Sequence, residues 1–120
     1  MPYTADMGSA PVTVVEVPPF PAVAKDVWSD AERMEFIDFI ARNPQAGEVI
    51  VGSGGVRKVR WSRAGTGKRG GVRVIYFYHS ERLPVFLLTV YAKSVLDNLT
   101  DAQIKAMARI VATVVERYGT

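Results

Sequence analysis

The sequence predicts an α+β domain: a small antiparallel sheet of about four strands, with two N-terminal helices and a C-terminal helix packed on it. Three observations lead there. Four short β-branched or aromatic runs lie between proline and glycine breaks. Two capping-box patterns, Ser29-Asp30-Ala31-Glu32 and Thr100-Asp101-Ala102-Gln103, open stretches with helical apolar spacing. The links between the last three strand-like runs are too short for a parallel crossover, which forces antiparallel neighbours. At 120 residues the chain supports one core, so residues 12–120 read as a single domain behind a flexible leader, residues 1–11.

Val12–Val17 (VTVVEV) is the first strand, stopped by Pro18-Pro19. Phe20–Trp28 reads as a short helix. The helix opened by Ser29 runs from about Asp30 to Arg42, with Met34, Ile37, Ile40 and Ala41 as its apolar stripe, and Asn43-Pro44 ends it. Ala46–Gly55 is a glycine-rich connector. Val56–Trp61, Val72–Tyr78 and Val85–Ala92 are the remaining strands, joined by the Gly65–Gly71 loop and by Ser80–Pro84. The last helix presents Ile104, Met107, Ala108, Val111, Val115 and Tyr118 on one face. The helices are expected to cover one face of the sheet.

Composition removes several classes of function. An apolar fraction of 48% and 12 aromatic residues mark a folded globule. The chain has no cysteine, which excludes disulfides, thiolate metal sites and cysteine nucleophiles, and points to an intracellular setting. No apolar run is long enough to span a bilayer, and the first residues lack the pattern of a secretory signal. The net charge of +3 conceals its distribution. Val49–Ser80 holds seven basic residues (Arg57, Lys58, Arg60, Arg63, Lys68, Arg69, Arg73) and no acid, whereas the rest of the chain has a balance of −4. A patch serving only solubility would mix signs, so this asymmetry is the footprint of a polyanion binder.

Strand alternation sorts these cations. On Val56–Trp61, Lys58 and Arg60 point to one face, and Arg57, Val59 and Trp61 to the other. Arg73 projects from the next strand, and Tyr91 and Lys93 share a face at the end of the last. Neighbouring strands lie about 4.8 Å apart, so in a suitable register, which the sequence does not fix, three strands bring these cations within reach of one phosphate. There they would hold it and stabilise charge growing on it in a transition state. Lys68 and Arg69 sit in a loop that does not match G-x-x-x-x-G-K-[ST] and joins two strands, so it reads as a grip on nucleic-acid backbone. His79 is the single histidine, which rules out a nuclease with paired histidines. It falls roughly 20 Å beyond Arg73 along an extended strand. Asp26, Asp30, Glu32, Glu35 and Asp38 follow the first long helix as a solvated face, not as the clustered carboxylates of a two-metal site. No metal or cofactor is expected. Among Tyr76, Phe77, Tyr78 and Tyr91, Tyr91 is the aromatic expected to be exposed for base stacking.

The runs GSGGVRKVRW, GKRGGVRVIYFYH and FLLTVYAK, in that order, resemble the RelE/HigB-type toxins of bacterial type II toxin–antitoxin pairs over about Val14 to Val115. The resemblance implies a RelE-like fold and a cytoplasmic, ribosome-dependent mRNA interferase, which activates the ribose 2′-OH against the adjacent phosphate without metal. It places the catalytic set at Lys58, Arg60, Arg73 and Lys93, and leaves Arg57, Arg63, Lys68, Arg69 and Tyr91 as RNA-binding candidates. It also implies partners: mRNA on the ribosome and a cognate antitoxin, expected to be a helix-turn-helix protein, with operator DNA reached only through that antitoxin. No membrane is implied. The pattern departs at Leu99, where members of the family carry a stacking tyrosine; Tyr91 is the candidate substitute. Two other functions fit the same residues: a non-catalytic RNA- or ribosome-binding module, and a toxin-fold subunit of an antitoxin–operator repressor complex.

Overall fold

The computed structural model describes residues 10–62, 71–93 and 98–118. The leader residues 1–9, Arg63, Lys68, Arg69 and most of the glycine-rich loop lie outside the described residues. In chain order the elements are β1 (Val14–Glu16), α1 (Phe20–Lys25), α2 (Asp30–Arg42), β2 (Glu48–Val49), β3 (Val56–Trp61), β4 (Val72–Phe77), β5 (Val85–Ala92) and α3 (Asp101–Tyr118). The class is α+β, as the sequence predicts, with a sheet of five strands ordered β1-β5-β4-β3-β2.

Pairing is antiparallel from β2 through β5, whereas β1 runs parallel to β5. The exception follows from chain length. Two helices and three strands separate β1 from β5, enough for a crossover that the short β3–β4–β5 links cannot make. The fifth strand, β2, lies inside the stretch expected to be a connector. At two residues it is too short to show alternation, and tertiary pairing creates it: Glu48 lies opposite Lys58 and Val49 opposite Arg57. The intervening turn is closed by Ser53, whose Oγ accepts from Val56 N at 2.9 Å and donates to Ile50 O at 2.6 Å.

The helices cover both faces of the sheet, not one. Phe20, Ala24, Trp28, Phe36 and Ile40 from the N-terminal helices and the segment joining them pack on Val72, Val74, Tyr76, Val85, Leu87 and Val90. Opposite them, Val111 of α3 packs with Val56, Ile75, Phe77, Leu88 and Tyr91. The reason is legible in β4, which apart from Arg73 is apolar on both of its faces and is buried throughout, so each face needs a cover. A bulge in β5 completes the arrangement. Ile75 lies opposite Thr89 and Tyr76 opposite Leu87, which leaves Leu88 as the inserted residue. Val85, Leu87 and Val90 therefore join the core under α1 and α2, while Leu88 and Tyr91 turn to the α3 side.

Both capping boxes form. Ser29 Oγ accepts from Glu32 N at 3.1 Å and Glu32 returns a bond to Ser29 N at 2.9 Å; the Thr100–Gln103 pair repeats this at 3.1 and 2.8 Å. The apolar stripe of α2 is rotated from the expected one. Phe36 and Ile40 are its buried residues and Met34 is 55% exposed. Phe36 meets Trp28 at 5.5 Å and stands edge-on to Trp61 at 5.3 Å, and this aromatic cluster outweighs the methionine in setting the buried face. On α3, Val111 is the fully buried residue and Tyr118 lies open, because the helix runs past the edge of the surface it covers.

Candidate functional site

On the α3 side of the sheet, Arg60 of β3 lies directly opposite Arg73 of β4, which in turn lies opposite Tyr91 of β5. Lys58 sits two residues back from Arg60, opposite Ile75 and on the same face. Lys93 follows the end of β5, and its backbone N–H donates to Gly71 O at 3.3 Å, which ties it to the start of the strand that carries Arg73. The result is an open cleft of about 660 Å³ lined by Ala46, Glu48, Lys58, Val59, Arg60, Arg73, Lys93 and Asn98. All four cations expected to form the catalytic set thus line one cleft, Lys58, Arg60 and Arg73 by strand alternation and Lys93 because the β5 bulge turns the end of that strand to the same side.

Among the described lining residues of the cleft, four cations face a single carboxylate, Glu48. Ion pairs among the described residues join Arg33 to Glu16 and Asp30, and Arg42 to Asp38; none includes a cleft cation. Arg73 is buried, 7% exposed, and among the described residues its Nη1 makes one long hydrogen bond, to Val72 O at 3.5 Å. A buried guanidinium with no ion pair to a described carboxylate is costly to the folded state. Lys58 Nζ donates to Asn98 Oδ1 at 3.2 Å, so the segment leading into α3 sets its position. Among the described residues, no group of three or more histidine, aspartate or glutamate side chains is placed to hold a metal ion.

Two expected contributors fall elsewhere. Arg57 points to the opposite face, where its Nη1 donates to Gly47 O at 2.7 Å and Gln45 O at 3.4 Å; it secures a loop and does not line the cleft. Tyr91 is buried in the core beneath α3, 9% exposed, contrary to the exposure expected of it: the β5 bulge sets it on the α3 side opposite Arg73, and the helix covers it there. Arg63, Lys68 and Arg69 lie outside the described residues. His79 is exposed, with its ring stacked on Phe77 at the end of β4 remote from Arg73.

Glu48 and Asn98 escaped the reading of the sequence. Glu48 sits in a glycine-rich stretch that shows no periodicity, and Asn98 enters from a loop. The signal for Glu48 was a lone acid between Gly47 and the β-branched run Val49-Ile50-Val51. Its position is tightly built. Tyr76 Oη accepts from Gly47 N and donates to Pro44 O, both at 2.8 Å. A Cβ on Gly47 would stand 2.8 Å from Lys58 O, so only glycine lets the chain pass there. Burial pushes the Tyr76 hydroxyl above its usual pKa, against the lowering effects of the Gly47 N–H and Arg57.

Fold and cleft together define a small α+β domain with a cation-lined cleft across the end of its sheet. Residues 28–119 match the family described as the RelE toxin of the RelE / RelB toxin–antitoxin system, and the chain belongs to that family. It is accordingly a toxin component of a toxin–antitoxin system, with an antitoxin as its partner. The fold is similar to that of an arginine-to-alanine double mutant of the E. coli toxin RelE in the free state, with a TM-score of 0.50 at 13% identity, over 82% of this chain and 95% of that one. No helix among the described residues is long and apolar enough to cross a membrane.

Proposed function

We propose that this toxin is a ribosome-dependent mRNA endoribonuclease of the cytoplasm. The observation that carries the reading is the convergence of Lys58, Arg60, Arg73 and Lys93 on one cleft, with no ion pair to a described carboxylate. In this reading the ribose 2′-oxygen attacks the adjacent phosphorus and the 5′-oxygen leaves. Arg73 and Lys93 stabilise the charge that gathers on the phosphoryl oxygens, while Lys58 or Arg60 acts at the attacking or leaving oxygen. The reaction needs no metal. The antitoxin, a helix-turn-helix protein in this proposal, would cover the basic face with acidic or aromatic groups. Operator DNA would be reached through it alone.

Brief induction of the chain, followed by mapping of transcript 5′ ends, tests the proposal. The expected result is rapid growth arrest with cuts inside reading frames, both abolished by Lys58→Ala. Intact mRNA in arrested or growing cells would sink it. One observation favours a second reading, a non-catalytic ribosome-binding module: Leu99, where the family pattern has its stacking tyrosine, is packed against the core under α3. Growth arrest with uncut transcripts would support that module.

A further inference from the structure

We propose that Glu48 is a catalytic residue, the proton acceptor for the attacking 2′-hydroxyl; this rests on the nuclease reading above. An ammonium or guanidinium offers only donors, whereas an ionised carboxylate offers only acceptors. Of the described residues that line the cleft, four are cations and Glu48 is the one carboxylate. A reaction that must remove a proton from a hydroxyl before that oxygen bonds to phosphorus therefore finds its acceptor at Glu48.

The placement is specific. Glu48 lies directly opposite Lys58 in the β2–β3 ladder, so the two side chains leave the sheet on the same face. Yet Glu48 makes no ion pair within 4.0 Å with any described cation, and Lys58 Nζ is held instead by Asn98 Oδ1. The carboxylate is exposed to the cleft and free to accept. Its backbone is held by the Tyr76 hydroxyl bond to Gly47, by Arg57 on Gly47 O, and by the close pass of Gly47 over Lys58. A general base needs this kind of fixed support, because misplacement by about 1 Å costs on the order of 10²-fold.

The step balances without another reactant. As the 2′-oxygen bonds to phosphorus, its proton passes to a Glu48 carboxylate oxygen. The bond from phosphorus to the 5′-oxygen breaks, and that oxygen takes a proton from a cleft lysine. The products are a 2′,3′-cyclic phosphate and a 5′-hydroxyl, and exchange with solvent resets both side chains.

The test is single-turnover cleavage of mRNA programmed into ribosomes, measured from acid to alkaline pH for the wild-type chain, Glu48→Gln and Glu48→Asp, alongside affinity for the same complexes. The expected result for Glu48→Gln is a rate constant lower by about 10²- to 10⁴-fold, affinity unchanged or tighter, and loss of the acid limb of the pH profile. Glu48→Asp should restore part of the rate and that limb. A Glu48→Gln variant that cuts at the wild-type rate with the wild-type profile overturns the assignment of Glu48 and leaves the nuclease reading standing. A wild-type chain that binds but leaves the mRNA whole overturns both.

Discussion

Replacing Arg73 by leucine should lower mRNA cleavage by about 10²- to 10³-fold while leaving thermal stability level or raising it. The first half follows from position. Arg73 is the most deeply set cation of the cleft, held between Arg60 and Tyr91 in the ladder. Loss of one preorganised charge-stabilising group typically costs about 3–4 kcal/mol in the transition state. The second half follows from burial. At 7% exposure and with no described carboxylate partner, the guanidinium is a liability to the folded state that leucine would remove. A thermal melt set beside the cleavage assay checks both. Loss of activity accompanied by a large fall in melting temperature would mean that Arg73 supports the fold and does not serve the chemistry.

Tyr76→Phe should destabilise the chain by about 2–3 kcal/mol, since it leaves one buried and one part-buried backbone group without a partner, the buried one at about 1–3 kcal/mol. Those groups are Gly47 N–H and Pro44 C=O. Denaturant titration measures the loss, and a variant within about 0.5 kcal/mol of wild type would show that the loop finds other partners. The variant should also lose cleavage, because the same loop carries Glu48. The tyrosine has a pH signature. Burial raises its folded-state pKa above the usual 10.0, so in alkali the unfolded chain releases this proton first. The contribution is intact below pH 10.0 and is lost as pH rises through the raised value. Tyr76→Phe should flatten the stability profile on that alkaline side, and an unchanged profile would exclude Tyr76 as its source.

The sequence by itself determined the features that depend on neighbours a few residues apart. Both capping boxes were legible because each is a reciprocal pair of bonds three residues apart. The facing of Lys58 and Arg60 was legible because a strand has a period of two, and Trp61 and Val59 had to turn toward the apolar side. Arg73 followed from the same alternation, and the resemblance to the RelE/HigB toxins joined it with Lys93 in one set.

Tertiary structure decided what depends on pairing across distance. A single inserted residue in β5 reversed the facing of everything after it and set Tyr91 and Lys93 on the α3 side, where the helix covers Tyr91 and buries it against the expectation of exposure. The two-residue β2 exists only because β3 is present to receive it, which is why Glu48 read as part of a connector. The aromatic cluster of Trp28, Phe36 and Trp61 settled which stripe of α2 faces inward, a choice between two overlapping apolar stripes. In each case the deciding energy comes from contacts between segments remote in the chain, and local propensity and period carry no record of them.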